Sequence, residues 1–193
     1  MTTRDELEHR RREIAGAALR VLARDGLRAL SVRNVAAEAG LAPSSLRYAV
    51  PTQASLREQA MELLLERLQQ RIGAAGEPAG IPWARAVLHE LLPLDATRRV
   101  EMEVTLELGT AAMTDEALVP LHLQLHEAIR GVCAEALSAL CGDADLRVRA
   151  VETARLHALV DGLALHVVRR PPGTGEEEAI TALDRHLASL ATR

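Results

Sequence analysis

Residues 31–56, SVRNVAAEAGLAPSSLRYAVPTQASL, decide how this chain folds. Ser31 can accept hydrogen bonds from the free N–H groups that open a helix. Leu30 before it and Val35 after it stand at hydrophobic-staple spacing. A short helix is expected over 32–39, ended by Gly40. Pro43 suits the first turn of the next helix, where no N–H is needed. Leu46 turns that helix inward and leaves Ser44, Ser45, Arg47 and Tyr48 outside; Pro51 closes it. Thr52 then caps a long helix, expected from about Gln53 to Ile72.

Upstream, 4–24 reads as an amphipathic helix. Ile14, Ala17, Ala18, Val21 and Leu22 recur on one face at helical spacing. Gly26 stops it, because a helix end favours a residue tolerant of the left-handed conformation. Two short helices joined by a tight turn, the second carrying Arg, Ser and Tyr outward, make a helix-turn-helix. That arrangement places one helix in the DNA major groove.

The rest of the composition agrees. Hydrophobic residues make up 48% of 193, enough for a core, and strand-like alternation is almost absent. Ala, Leu, Arg and Glu dominate, so an all-α protein is expected. All 23 basic residues are Arg, and scarce Lys, Phe, Tyr and Asn suggest GC-rich codon usage. The net charge of −4 divides unevenly: residues 1–57 hold ten Arg against six acids, the remainder 13 Arg against 21 acids. The basic end is the helix-turn-helix end, and the acidic body would discourage nonspecific association with nucleic acid. Arg10, Arg11 and Arg12, with Arg4, form an arm that could reach phosphates or a minor groove. The interspersed Asp5, Glu6, Glu8 and Glu13 fit a solvated helix start equally well. Residues 1–25 lack an unbroken apolar core and no run reaches 18 apolar residues, so a cytoplasmic protein is expected. Cys133 and Cys141 suit a reducing compartment. On one helix they would stand about 12 Å apart along the axis, too far for an intrachain disulfide.

From Arg11 to Leu68 the chain resembles the N-terminal domain of the tetracycline-repressor (TetR) family of bacterial regulators. The likeness rests on Val21-Leu22-Ala23-Arg24-Asp25-Gly26, on Ser31-x-Arg33-x-Val35-Ala36, on Ala39-Gly40-Leu41, and on the segment Leu46 to Gln53. That last segment departs from the family pattern, with Val50 where Phe is usual and Gln53 where a phosphate-contacting Lys is usual. The resemblance implies that the helix from Pro43 lies in the major groove. Pro43, Ser44, Ser45, Arg47 and Tyr48 would be its contact residues. Arg47 could pair bidentately with guanine or grip a phosphate. Ser31 and Arg33 at the start of the preceding helix, with Thr52 and Gln53, would meet phosphates. The expected domains are 1–57, with the fourth helix bridging to about 73, and 74–193.

Beyond residue 73 a Gly/Pro-rich loop to Pro82 gives way to helices expected at 82–92, 95–113, 115–140, 143–169 and 175–191, with Asp95 and Asp143 as N-caps. Leu94-Asp95-x-x-Arg98-Arg99-x-Glu101 and Val160-Asp161-Gly162-Leu163-Ala164-Leu165 resemble the ligand-binding and dimerisation half of a TetR subgroup. Leu156, Leu159, Val160, Leu163 and Val167 form one apolar stripe; Ile180, Leu183, Leu187 and Leu190 form another. A stripe alone more often means core than interface. The family's dimeric four-helix bundle makes these the candidates for homodimerisation. A small-molecule effector is expected against Trp83, Leu88, Met102, Leu106, Met113, Leu125, His126 and His157, although residues of these types more often mean plain core. Glu101, Glu103 and Glu107 could favour a cationic ligand, but such a run more often marks a solvated helix face. His122 and His126 share a helix face without an evident third metal ligand. No metal or cofactor is expected. No nucleotide-binding glycine fingerprint, nucleophile elbow or HExxH motif appears, so no enzyme is expected. Together these features lead to a repressor released from a pseudo-palindromic operator by its effector.

Overall fold

A computed structural model describes residues 3–141 and 146–191, with side chains from 6 to 140 and from 147 to 190. Asp143 and the side chains of Arg4 and Cys141 lie outside the described residues. Among the described residues every regular element is helical: α1 (Thr3–Asp25), α2 (Val32–Glu38), α3 (Pro43–Ala49), α4 (Gln53–Ala74), α5 (Gly80–His89), α6 (Ala96–Ala112), α7 (Val119–Cys141), α8 (Leu146–Val168) and α9 (Glu176–Ala191). Single 3-10 turns, η1 (Leu27–Ala29) and η2 (Glu116–Leu118), precede α2 and α7.

The chain forms two compact units, Met1–Glu66 with Glu103–Leu123, and Arg67–Met102 with Gln124–Arg193. In the first, α2 packs on α1 and α3 packs on α2. Ile14, Ala17, Ala18, Val21 and Leu22 of α1 are buried, as are Leu30, Val35, Leu46, Val50 and Leu56. Each Val, Leu or Ile among them contributes about 1.5–3 kcal/mol by leaving water. Ser31 Oγ accepts from the Asn34 N–H (3.2 Å), which opens α2. A Schellman motif ends α2: Leu41 N–H donates to the Ala36 carbonyl (2.8 Å) and Gly40 N–H to the Ala37 carbonyl (3.2 Å). Gly40 supplies the φ of 67° that this motif requires. Pro43 takes the first position of α3, and Thr52 Oγ1 accepts from the Ser55 N–H (3.0 Å) to open α4.

The core of the second unit draws on four helices. Trp83, Ala84, Val87 and Leu88 of α5, with Leu92, meet Val132, Cys133, Ala136 and Leu137 of α7, Leu156, Val160, Ala164 and Val167 of α8, and Ala179, Leu183, Leu187 and Leu190 of α9. The start of α6 anchors this unit through charge. Arg98 pairs with Asp95 and with Glu90 (3.2 Å), and Glu101 pairs with Arg71 (2.8 Å) and Arg67 (3.5 Å) of α4. The Arg99 guanidinium donates to the Val167, Val168 and Arg170 carbonyls. It thereby caps the C-terminal end of α8, whose last carbonyls lack partners within the helix.

Three sequence expectations change. The loop after α4 is shorter than 73–82, because α4 runs to Ala74 and α5 starts at Gly80, with Pro82 tolerated in its first turn. A single helix over 115–140 is replaced by η2 and α7. Pro120 there lacks an N–H and would clash with the carbonyl four residues back in a continuous helix. Asp115 still caps, accepting from Ala117 N–H (3.0 Å). Glu101, Glu103 and Glu107 do not form a solvated face: Glu101 is buried and ion-paired, and the other two are half-buried.

Candidate nucleic-acid interface

Leu46 of α3 and Val50, which follows its last residue, are completely buried. They fix the helix by one edge, so the residues between them face out. Pro43, Ser44, Ser45, Arg47 and Tyr48 are all exposed. Tyr48, the chain's one tyrosine, is 95% exposed. An aromatic ring left in water forgoes the burial that normally stabilises such a side chain, so α3 presents a surface built for contact rather than for the core. Arg33, near the start of α2, is exposed as well.

The remaining three expected contact residues have partners inside the unit. Ser31 Oγ caps α2. Thr52 Oγ1 caps α4 and shares a hydrogen bond with Ser55 Oγ (2.7 Å). The Gln53 side-chain amide donates to the Leu30 carbonyl. The glutamine that replaces the family's usual lysine therefore ties α4 to the turn before α2.

Charge on this unit is partly held in pairs. Glu38 of α2 accepts from Arg20 Nε (2.7 Å) and Arg24 Nη1 (2.8 Å) of α1. Those two guanidinium groups hold its carboxyl below the ordinary carboxylate range. Arg12 pairs with Glu66 (2.6 Å) beside a groove of about 430 Å³ lined by residues of α1 and α4, among them Glu8, Arg11, Glu58 and Glu62. Arg10, Arg11, Arg28, Arg33 and Arg47 are exposed. Sequence reasoning missed the anchoring role of Asn34, whose Nδ2 donates to the Ala29 carbonyl (2.7 Å). It also missed Glu107 of α6, whose Oε1 accepts from the Leu27 N–H (2.9 Å). The Glu107 contact leaves no local sequence signature, because its partner lies 80 residues away.

The expected effector residues divide between the units. In the second, Trp83 and Leu88 lie in the core and Met102 packs against it; Trp83 Nε1–H donates to the Gly76 carbonyl (3.1 Å). Leu125 and His157 are buried, and the His126 ring lies 4.5 Å from that of His157. Leu106 and Met113 belong to the first unit, where Met113 is 83% exposed. Burial pushes the His157 imidazole below its usual range, against the pull of Asp161 Oδ2 at 3.5 Å. At neutral pH that contact joins a neutral ring to a carboxylate. Burial, with Asp161 adding to it, pushes the Cys133 thiol up to about 12, so a nucleophilic thiolate is absent at neutral pH. Among the described residues no three His, Cys, Asp or Glu side chains converge as metal ligands. His122 lies against Gly109, whereas His126 lies against His157.

Six of the nine stripe residues on α8 and α9 are buried in the chain's own core: Leu156, Val160, Val167, Leu183, Leu187 and Leu190. Leu159, Leu163 and Ile180 are half-buried, and Val148 and Val151 at the start of α8 are exposed. No helix of the described residues is long and apolar enough to cross a membrane.

A two-helix reader with a buried edge and an outward Arg/Tyr face, joined to a separate helical unit, defines a helix-turn-helix transcriptional regulator. Residues 81–192 match the family model for the C-terminal domain of BetI-type transcriptional repressors. The chain is 31% identical over 188 residues to the HTH-type transcriptional regulator PksA of Bacillus subtilis, covering 95% of this chain and 90% of PksA. Its fold is similar to that of a transcriptional regulator from Rhodococcus sp. Rha1, with 27% identity, a TM-score of 0.77, and coverage of 94% of this chain and 96% of that one. It is also similar to the multidrug binding protein EbrR in complex with ethidium, with 27% identity, a TM-score of 0.62, and coverage of 91% and 97%. The chain belongs to the TetR family of DNA-binding transcriptional regulators, with a C-terminal domain of the BetI type.

Proposed function

We propose that the chain is a cytoplasmic homodimeric repressor that occupies a pseudo-palindromic operator and leaves it when a small molecule binds the C-terminal unit. One observation carries the DNA half of this reading: Arg47 and Tyr48 project from α3 while Leu46 and Val50 anchor it. Pro43, Ser44 and Ser45 would let the α3 backbone approach the groove, with Arg33 on a flanking phosphate. A single two-turn helix reads few bases, and a two-fold dimer doubles the site. Leu159, Leu163 and Ile180, with Val148 and Val151, are among the apolar side chains of α8 and α9 that the chain does not fully bury and that a partner copy could cover. The ethidium complex of EbrR supports binding of a small organic molecule. Trp83, Met102, His126 and His157 are the groups here that would meet one.

The test is a gel shift with the DNA upstream of the chain's own gene and with duplexes selected from a random pool. A retarded band that competes specifically is expected. Arg47→Ala should weaken that complex by about 1–3 kcal/mol if Arg47 reads a base. Selection of no sequence from the pool would overturn the reading.

A further inference from the structure

The turn between α1 and α2 cannot cap itself. The residue ahead of η1 is Gly26, which has no side chain to cap the turn, and the Leu27 N–H takes its acceptor from elsewhere in the fold. Glu107, 80 residues later on α6, fills that role with Oε1 at 2.9 Å. Gly26 makes room for it: a β-carbon there would stand 3.2 Å from Glu107 Oε1, and the backbone φ of 77° already favours glycine. The far end of η1 is held too, by Gln53 on the Leu30 carbonyl and Asn34 on the Ala29 carbonyl. Of the three side chains that hold η1, Glu107 alone comes from outside α1–α4. Both partners lie within the first unit.

We infer that Glu107 is a positioning residue for operator recognition: it fixes the α1–α2 connection, and so the direction in which α2 and α3 are presented to DNA. This rests on the operator-binding reading above. A side-chain oxygen on a half-buried N–H gives a directional hydrogen bond; without it the connection would rest on Asn34, Gln53, the α1–α2 packing and the Glu38 pairs with Arg20 and Arg24, leaving α2–α3 a wider range of angles on α1. The effect therefore falls on geometry and not on a phosphate contact. A head held in one direction tolerates one half-site spacing, and one added base pair turns the half-sites by about 35° relative to each other. A pivoting head accepts both spacings.

The test uses the full chain and a duplex selected from a random pool by the wild-type protein, with and without one base pair inserted at the dyad. Wild type should lose about tenfold or more in affinity on insertion, and Glu107→Ala less than about threefold. Glu107→Gln, which retains an oxygen acceptor, should behave as wild type. In the free protein the Leu27 amide should exchange slowly with solvent deuterium in wild type and Glu107→Gln, and fast in Glu107→Ala. Glu107→Asp, which stops one methylene short, serves in place of Glu107→Ala if that variant does not fold by circular dichroism. An unchanged Leu27 exchange rate, or spacing discrimination equal to wild type, overturns the inference alone. A wild-type protein that selects no duplex overturns the operator-binding reading and this inference with it.

Discussion

His157 is a titratable side chain buried in the second unit, and its burial couples stability to pH. Its imidazole is buried beside His126, with Arg130, Glu127 and Asp161 also facing it. Burial dominates, so the folded state binds a proton less readily than the unfolded chain. The resulting stability is fully present above the ordinary histidine range and is lost as pH falls through it toward the depressed folded value. Thermal unfolding followed from pH 8 to 5 should therefore show a fall in Tm that is shallower in His157→Gln. At this scale the outward face of α3 was legible, because Leu46 and Val50 bracket it locally. Ser31, Thr52 and Gln53 were harder to read, since one hydroxyl or amide suits a cap and a phosphate equally. Glu101 and Glu107 were illegible as anchors, because their partners lie 30 and 80 residues away in sequence.

Among the elements, boundaries set by Gly and Pro were readable: Gly26 ends α1, Gly40 ends α2 and Pro43 opens α3. The break at Pro120 was missed because the flanking apolar spacing runs on across it. Periodicity also could not say which core a stripe belongs to, and most of the apolar edge of α8 and α9 is used within one chain. The run Arg98-Arg99-x-Glu101 now has a physical account. One turn of α6 anchors α5 through Glu90, the end of α8 through Arg99, and α4 through Arg67 and Arg71. Arg99→Ala would leave the Val168 and Arg170 carbonyls without this donor and should destabilise the fold by about 1–3 kcal/mol. Arg99→Lys should recover only part of this, because an ammonium cannot fork across three carbonyls. Urea unfolding of the three proteins checks both statements.

For the molecule as a whole, the uneven distribution of charge governs how it meets a polyanion. The ten Arg of residues 1–57 sit with the reader, and the excess of acids sits in the rest. Operator affinity should fall steeply with added salt. Arg33→Ala should weaken binding about equally on all sequences and reduce the magnitude of the salt slope by about 1, as expected for a lost phosphate contact. Titrations at several salt concentrations measure that slope directly. The fold also has an optical consequence. The chain's one tyrosine projects from the reading helix of the first unit, and its one tryptophan is packed into the core of the second. Each unit thus contains a single intrinsic chromophore of its own kind. On the proposed function, quenching of Tyr48 emission would report DNA arrival and a change in Trp83 emission would report ligand entry, so both events could be timed in one unlabelled sample.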